Sequence, residues 1–131
     1  VIGWQSLLAV LLGGGVGSAA RYLVTFAITQ RLGPGFPWAT LTINVTGSLI
    51  IGAVAEVTQT RAFDGSQLVR LFLMTGVLGG YTTFSTFSLE ALTLLREGNQ
   101  AAAVAYGLGS VVLGVAAALA GAAVVRAFST A

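Results

Sequence analysis

The sequence predicts an all-α integral membrane protein of four transmembrane helices, forming one domain over residues 1–131. Three observations carry this. Apolar residues make up 56% of the chain and charged residues only 8%, whereas a soluble domain carries roughly a quarter charged residues. The charges are six arginines and four carboxylates, with no Lys or His, too few to clothe a soluble surface; mean hydropathy is +0.92. The gaps between the charges leave four apolar stretches, and at about 20 residues per helical crossing a chain of this length holds at most four or five spans and no further domain.

The first span runs from about Trp4 to Thr29, interrupted only by Arg21. The second, from about Trp38 to Val57, follows the breaker run Gly33-Pro34-Gly35-Phe36-Pro37, with Pro37 well placed at a helix start. Trp4 and Trp38 suit the membrane interfaces, where amphipathic rings are favoured. The third covers about Leu68 to Leu95, preceded by the capping candidates Asp64-Gly65-Ser66. A tight Arg96-Glu97-Gly98-Asn99 turn then leads into the fourth, from about Ala101 to Val125, so the last two spans form an antiparallel hairpin. No basic run precedes the first apolar stretch, which is also too long for a cleaved secretory signal.

Orientation in membranes follows the arginine and lysine bias between loops. With four spans, one side carries Arg61, Arg70 and Arg126 and the other Arg31 and Arg96. Three against two is almost no instruction. Insertion in both orientations, and an antiparallel, dual-topology homodimer with its two-fold axis in the membrane plane, is therefore expected; a single topology with weak bias is the alternative. Four small helices enclose little by themselves, so a transporting protein of this size is expected to oligomerise.

The absence of Cys excludes disulfides, thiolate chemistry and Fe–S sites, and the absence of His removes the commonest metal ligand and proton shuttle. An enzyme is not expected. Nucleic acid is not expected as a partner either, because the arginines are scattered and the net charge is only +2. Pairs at small-xxx-small spacing, Gly13 with Gly17, Ser48 with Gly52 and Gly76 with Gly80, point to close helix packing.

The polar anomaly is the middle of the third span, where six of the eight residues from Tyr81 to Ser88 carry hydroxyls. Gly79 and Gly80 are the expected place for a break near the centre of this helix. Unwound backbone at that depth requires burial in protein or a cavity, and freed carbonyls there suit a cation. The alternative is an intact helix whose hydroxyls bond back to their own carbonyls. Helical spacing puts Thr83, Thr86 and Glu90 on one stripe beside a ridge of Phe84 and Phe87. Ring edges are electropositive, so two Phe edges next to hydroxyl donors suit a small, partly dehydrated anion; lipid-facing or core filler is the competing role.

Three further intramembrane polar residues need partners. Arg21 is expected to cap carbonyls, pair with Glu90, or raise the local anion concentration at a vestibule. Asn44 suits an interhelical hydrogen bond or an anion. Tyr106 and Ser110, four apart on the fourth span, continue the hydroxyl theme.

These residues resemble the small bacterial Fluc fluoride channels over nearly the whole chain. The likeness lies in Gly13-Gly14-Gly15-Val16-Gly17 with Arg21, in Pro37-Trp38-Ala39-Thr40-Leu41-Thr42-Ile43-Asn44 with Gly47, and above all in Gly79-Gly80-Tyr81-Thr82-Thr83-Phe84-Ser85-Thr86-Phe87-Ser88 with Glu90. The resemblance implies an antiparallel dimer with two pores that exports fluoride passively from the cytoplasm across the bacterial inner membrane. It also implies a structural Na+ at the dimer centre, held by main-chain carbonyls that map onto Gly79 and Thr82. The implied pore residues are Phe84 and Phe87, Asn44 near them, and a polar track of Thr83, Ser85, Thr86, Ser88, Tyr106 and Ser110. At Gly114 the sequence lacks a hydroxyl that relatives are expected to carry on the fourth helix.

Two other classes compete. A small dual-topology multidrug exporter needs a membrane-embedded carboxylate, preferably in the first helix, where this chain has Arg21 instead. A non-transporting membrane assembly subunit would use the hydroxyls only as interhelical glue.

Overall fold

The computed structural model describes residues 3–59 and 67–129. Arg61 and the Asp64-Gly65-Ser66 cap fall outside the described residues. In chain order the elements are α1 (Trp4–Leu32), α2 (Trp38–Gln59), α3 (Gln67–Arg70), a π-helical segment (Leu71–Leu78), α4 (Gly79–Tyr81), α5 (Phe84–Arg96) and α6 (Gln100–Ser129). By length and composition α1, α2 and α6 can each cross a bilayer. The third apolar stretch is divided between the four remaining elements.

Local chemistry explains the ends. Gly33, at φ 73°, terminates α1 and donates its N–H to the Thr29 carbonyl at 2.9 Å. The Pro37 carbonyl accepts from Leu41 N–H at 3.1 Å as α2 begins. After α5, Gly98 at φ 77° lets Asn99 N–H reach the Leu94 carbonyl at 2.9 Å while Gly98 N–H reaches Leu95 at 3.1 Å, the Schellman pattern. Asn99 Oδ1 then accepts from Ala102 N–H at 3.3 Å and caps α6. Three residues thus reverse the chain.

Packing relies on backbone approach. Lipid tails are as apolar as leucine, so membrane helices associate through van der Waals contact and polar bonds. A Cβ at Gly13 would run into the Phe72 carbonyl and one at Gly17 into the Val77 carbonyl, so α1 lies directly on the π-helical segment. Between α2 and α6, Gly52 faces the Ala118 carbonyl and Gly121 the Leu49 carbonyl. The fully buried large side chains are Ile43 and Tyr106, whereas Leu12, Val112, Leu119 and Phe128 stand on the outside. Arg126 reaches across from α6 to Glu56 on α2 in a two-pronged ion pair, 2.9 and 3.0 Å, tying their ends together.

Gly79 and Gly80 are not where the helix is interrupted. Gly79 is helical at φ −64°, ψ −35°, and Gly80 is pressed against the Gly14 carbonyl. The extended residues are Thr82 (φ −78°, ψ 160°) and Thr83 (φ −153°, ψ 122°). The glycines serve close approach to α1, and the chain unwinds where another helix supplies replacement hydrogen bonds.

Candidate functional site

Asn44 supplies them. From α2 its Nδ2 donates to the Thr83 carbonyl at 3.0 Å, and its Oδ1 accepts from Thr83 N–H at 2.9 Å. In a continuous helix that N–H would bond to the Gly79 carbonyl, so the side-chain amide takes the place of helical partners for both main-chain groups of a buried residue. The Thr83 hydroxyl caps α5, accepting from Thr86 N–H at 3.2 Å. It also donates to Thr86 Oγ1 at 3.0 Å and lies 3.4 Å from Ser85 Oγ.

Next to this junction is a cavity of about 360 Å³ lined by Asn44, Gly47, Ser48, Gly79, Thr82, Thr83, Phe84, Phe87 and Ser110, with apolar side chains of Ile51, Met74, Leu78 and Val111. The Phe84 and Phe87 rings are 5.5 Å apart at 38°. Phe84 is 79% exposed. Thr82 bonds back to the Leu78 carbonyl at 2.9 Å through its hydroxyl, and the Ser110 hydroxyl is buried without a partner.

Behind Phe87 lies a second polar cluster. Tyr106 packs on Phe87 at 4.9 Å and on Phe36 at 5.6 Å, and its hydroxyl donates to Glu90 Oε2 at 2.6 Å. Thr40 Oγ1 donates to the other carboxylate oxygen at 2.9 Å. Glu90 also faces a smaller cavity of about 240 Å³ formed with Thr25, Thr29, Phe36, Thr93 and Glu97. Phe87, Tyr106 and Glu90 therefore stand between the two cavities.

The structure brings Asn44, Thr82, Thr83, Phe84, Phe87, Ser110 and Gly79 to one cavity. Ser85, Thr86 and Ser88 do not line it: Thr86 is turned to Thr83, and Ser88 Oγ donates to its own helix at the Phe84 carbonyl, 2.9 Å. Of the three roles open to Arg21, the pair with Glu90 is not formed; the two oxygens of Glu90 accept instead from Thr40 and Tyr106. Among the described residues Arg21 has no hydrogen bond or ion pair. Thr40, Ser48 and Phe36 were not anticipated as site residues. Thr40, Asn44 and Ser48 are spaced four apart on α2, and that helical spacing is the signal that places them on one face.

Apolar helices that present their small residues to each other and their large ones outward define a multi-pass membrane protein, with its polar groups gathered between helices. Among the described residues no three His, Cys, Asp or Glu come together to hold a metal. The chain belongs to the family described as CrcB-like protein, Camphor Resistance (CrcB), which it matches over residues 8–122. It is 53% identical over 123 residues to a fluoride-specific ion channel FluC of Nitrobacter winogradskyi, covering 94% of this chain and 97% of the relative. It is 50% identical over 121 residues to the protein of that name from Rhizobium meliloti, covering 92% and 96%. With the one from Paracoccus denitrificans it shares 49% over 117 residues, covering 89% and 91%.

Proposed function

We propose that this protein is a fluoride channel, not an enzyme, and that it lets fluoride leave the cytoplasm passively across the bacterial inner membrane. The observation that carries the reading is the cavity at the Asn44–Thr83 junction, which Phe84, Phe87, Thr83 and Ser110 line together. Fluoride is small and strongly hydrated. Hydroxyl and ring-edge dipoles can replace part of its water without a fixed positive charge that would trap it, and conduction requires binding weak enough to permit exit.

In this reading residues 67–96 form a fourth membrane span, broken at Thr82 and Thr83. Two subunits pair antiparallel, covering the exposed Phe84 ring and giving two pores per dimer. The ion passes Phe84 and Phe87 and continues along Tyr106 towards the Glu90 cavity, with Arg21 as a vestibule charge; Ser85, Thr86 and Ser88 contribute to the polar track once the second subunit is in place. A Na+ at the dimer centre fits the donors available. Thr83 N–H is diverted from Gly79 to Asn44, which leaves Gly79 with a carbonyl oxygen free of that helical bond, and Thr82 has left helical geometry. Main-chain carbonyl oxygens are hard ligands suited to such a cation.

The competing exporter reading lacks a first-helix carboxylate, and Glu90 is held by two hydroxyls. Fluoride efflux from loaded lipid vesicles tests the proposal. Purified protein should release fluoride without a proton gradient. Release of an organic cation that needs such a gradient, or no flux at all, would favour the exporter or the assembly subunit instead.

A further inference from the structure

The hydroxyls near the cavity differ in what they bond, and that of Thr83 is taken up by Thr86. Thr46, Thr82 and Ser88 bond back to the carbonyls of Thr42, Leu78 and Phe84 in their own helices, the usual resting arrangement for hydroxyls on a membrane helix. Ser48 on α2 and Ser110 on α6 do not. Both line the cavity with Asn44 and Phe87, Ser110 Oγ is buried without a partner, and Ser48 also makes no hydrogen bond among the described residues. A hydroxyl left unbonded between helices is expensive unless a ligand or water uses it.

We propose that Ser48 is an anion-binding residue, and that with Ser110 it forms a two-hydroxyl step holding fluoride between α2 and α6. This rests on reading the cavity as a fluoride path. Gly114, one turn beyond Ser110, makes room for the step: a Cβ at that position would sit 3.5 Å from Ser48 Oγ, an ordinary contact. A hydroxyl carried on residue 114 would therefore project from α6 into the space that the Ser48 hydroxyl now fills from α2. The step needs a donor there and is indifferent to which helix supplies it.

The distinguishing measurement is initial fluoride efflux from vesicles containing wild type, Ser48→Ala, Ser110→Ala and the double variant Ser48→Ala/Gly114→Ser, each checked for an intact dimer. Loss of one donor to the ion should slow efflux about tenfold in either single alanine variant, the size of one net hydrogen bond. The double variant should recover most of that loss. A role for Ser48 in packing alone predicts no recovery, since Gly114→Ser adds bulk without restoring the original contact. Wild-type efflux in Ser48→Ala, or equal loss in Ser48→Ala and the double variant, overturns the proposal. Either result with an active wild type leaves the channel reading standing, whereas no efflux from wild type removes that reading itself.

Discussion

Asn44 holds Thr83 by both of its main-chain groups, across 39 residues of sequence, at 3.0 and 2.9 Å. One side-chain amide does for Thr83 what four residues of helix on either side would otherwise do. The interruption is thereby fixed in place, and Phe84 begins a new helix beside the cavity.

Asn44→Ala should consequently lower stability as well as flux. Thr83 is 8% exposed, and each of its two orphaned main-chain groups would cost about 1–3 kcal/mol. A clear fall in the melting temperature of the purified protein in detergent, with fluoride efflux lost, is the expected outcome. Unchanged melting would mean that the backbone finds other partners.

Phe84→Ile and Phe87→Ile should each slow fluoride efflux about tenfold while the dimer persists, because Ile keeps apolar bulk but has no ring quadrupole. Phe84, next to the interruption, should be the more sensitive. Wild-type flux in both variants would assign the rings to packing and leave the hydroxyls as the pathway.

Glu90→Gln is expected to keep fluoride efflux, still without a requirement for a proton gradient, since a channel needs no coupling ion. The variant replaces the carboxyl that accepts from Tyr106 at 2.6 Å by an amide, which can accept on one side only, so some stability should be lost. Collapse of flux with an intact dimer would show that the carboxylate takes part in conduction.

Exchange of Na+ for a large organic cation should lower dimer stability or flux. A cation bound only in the assembled state stabilises that state by mass action. Equal melting curves after exhaustive exchange would count against the site at Gly79 and Thr82.

Antiparallel assembly has a direct topological test. Single cysteines placed near each end of the chain, which has none of its own, should react with an impermeant thiol reagent from both sides of one membrane preparation. Labelling from one side only would establish a single orientation.

Composition alone determined that the chain belongs in a membrane, since four carboxylates and six arginines cannot cover a soluble surface of this size. The end of α1 and the starts of α2 and α6 were legible because Gly33, Pro37 and the Gly98-Asn99 turn act locally, through φ preference and capping over a few residues. The hydroxyl-rich string at 81–88 and its two Phe residues also stood out locally, by their chemistry. The position of the interruption did not. Gly79-Gly80 has the composition of a break, yet the bonds that make unwinding tolerable come from Asn44, a residue remote in sequence. The partners of Glu90 are not legible either: by charge an arginine is the obvious one, while Thr40 and Tyr106 reach it only once α2, α5 and α6 are packed. Local preference sets where helices can begin and end; which polar group satisfies which, in a medium with no water to substitute, is decided by which helices touch.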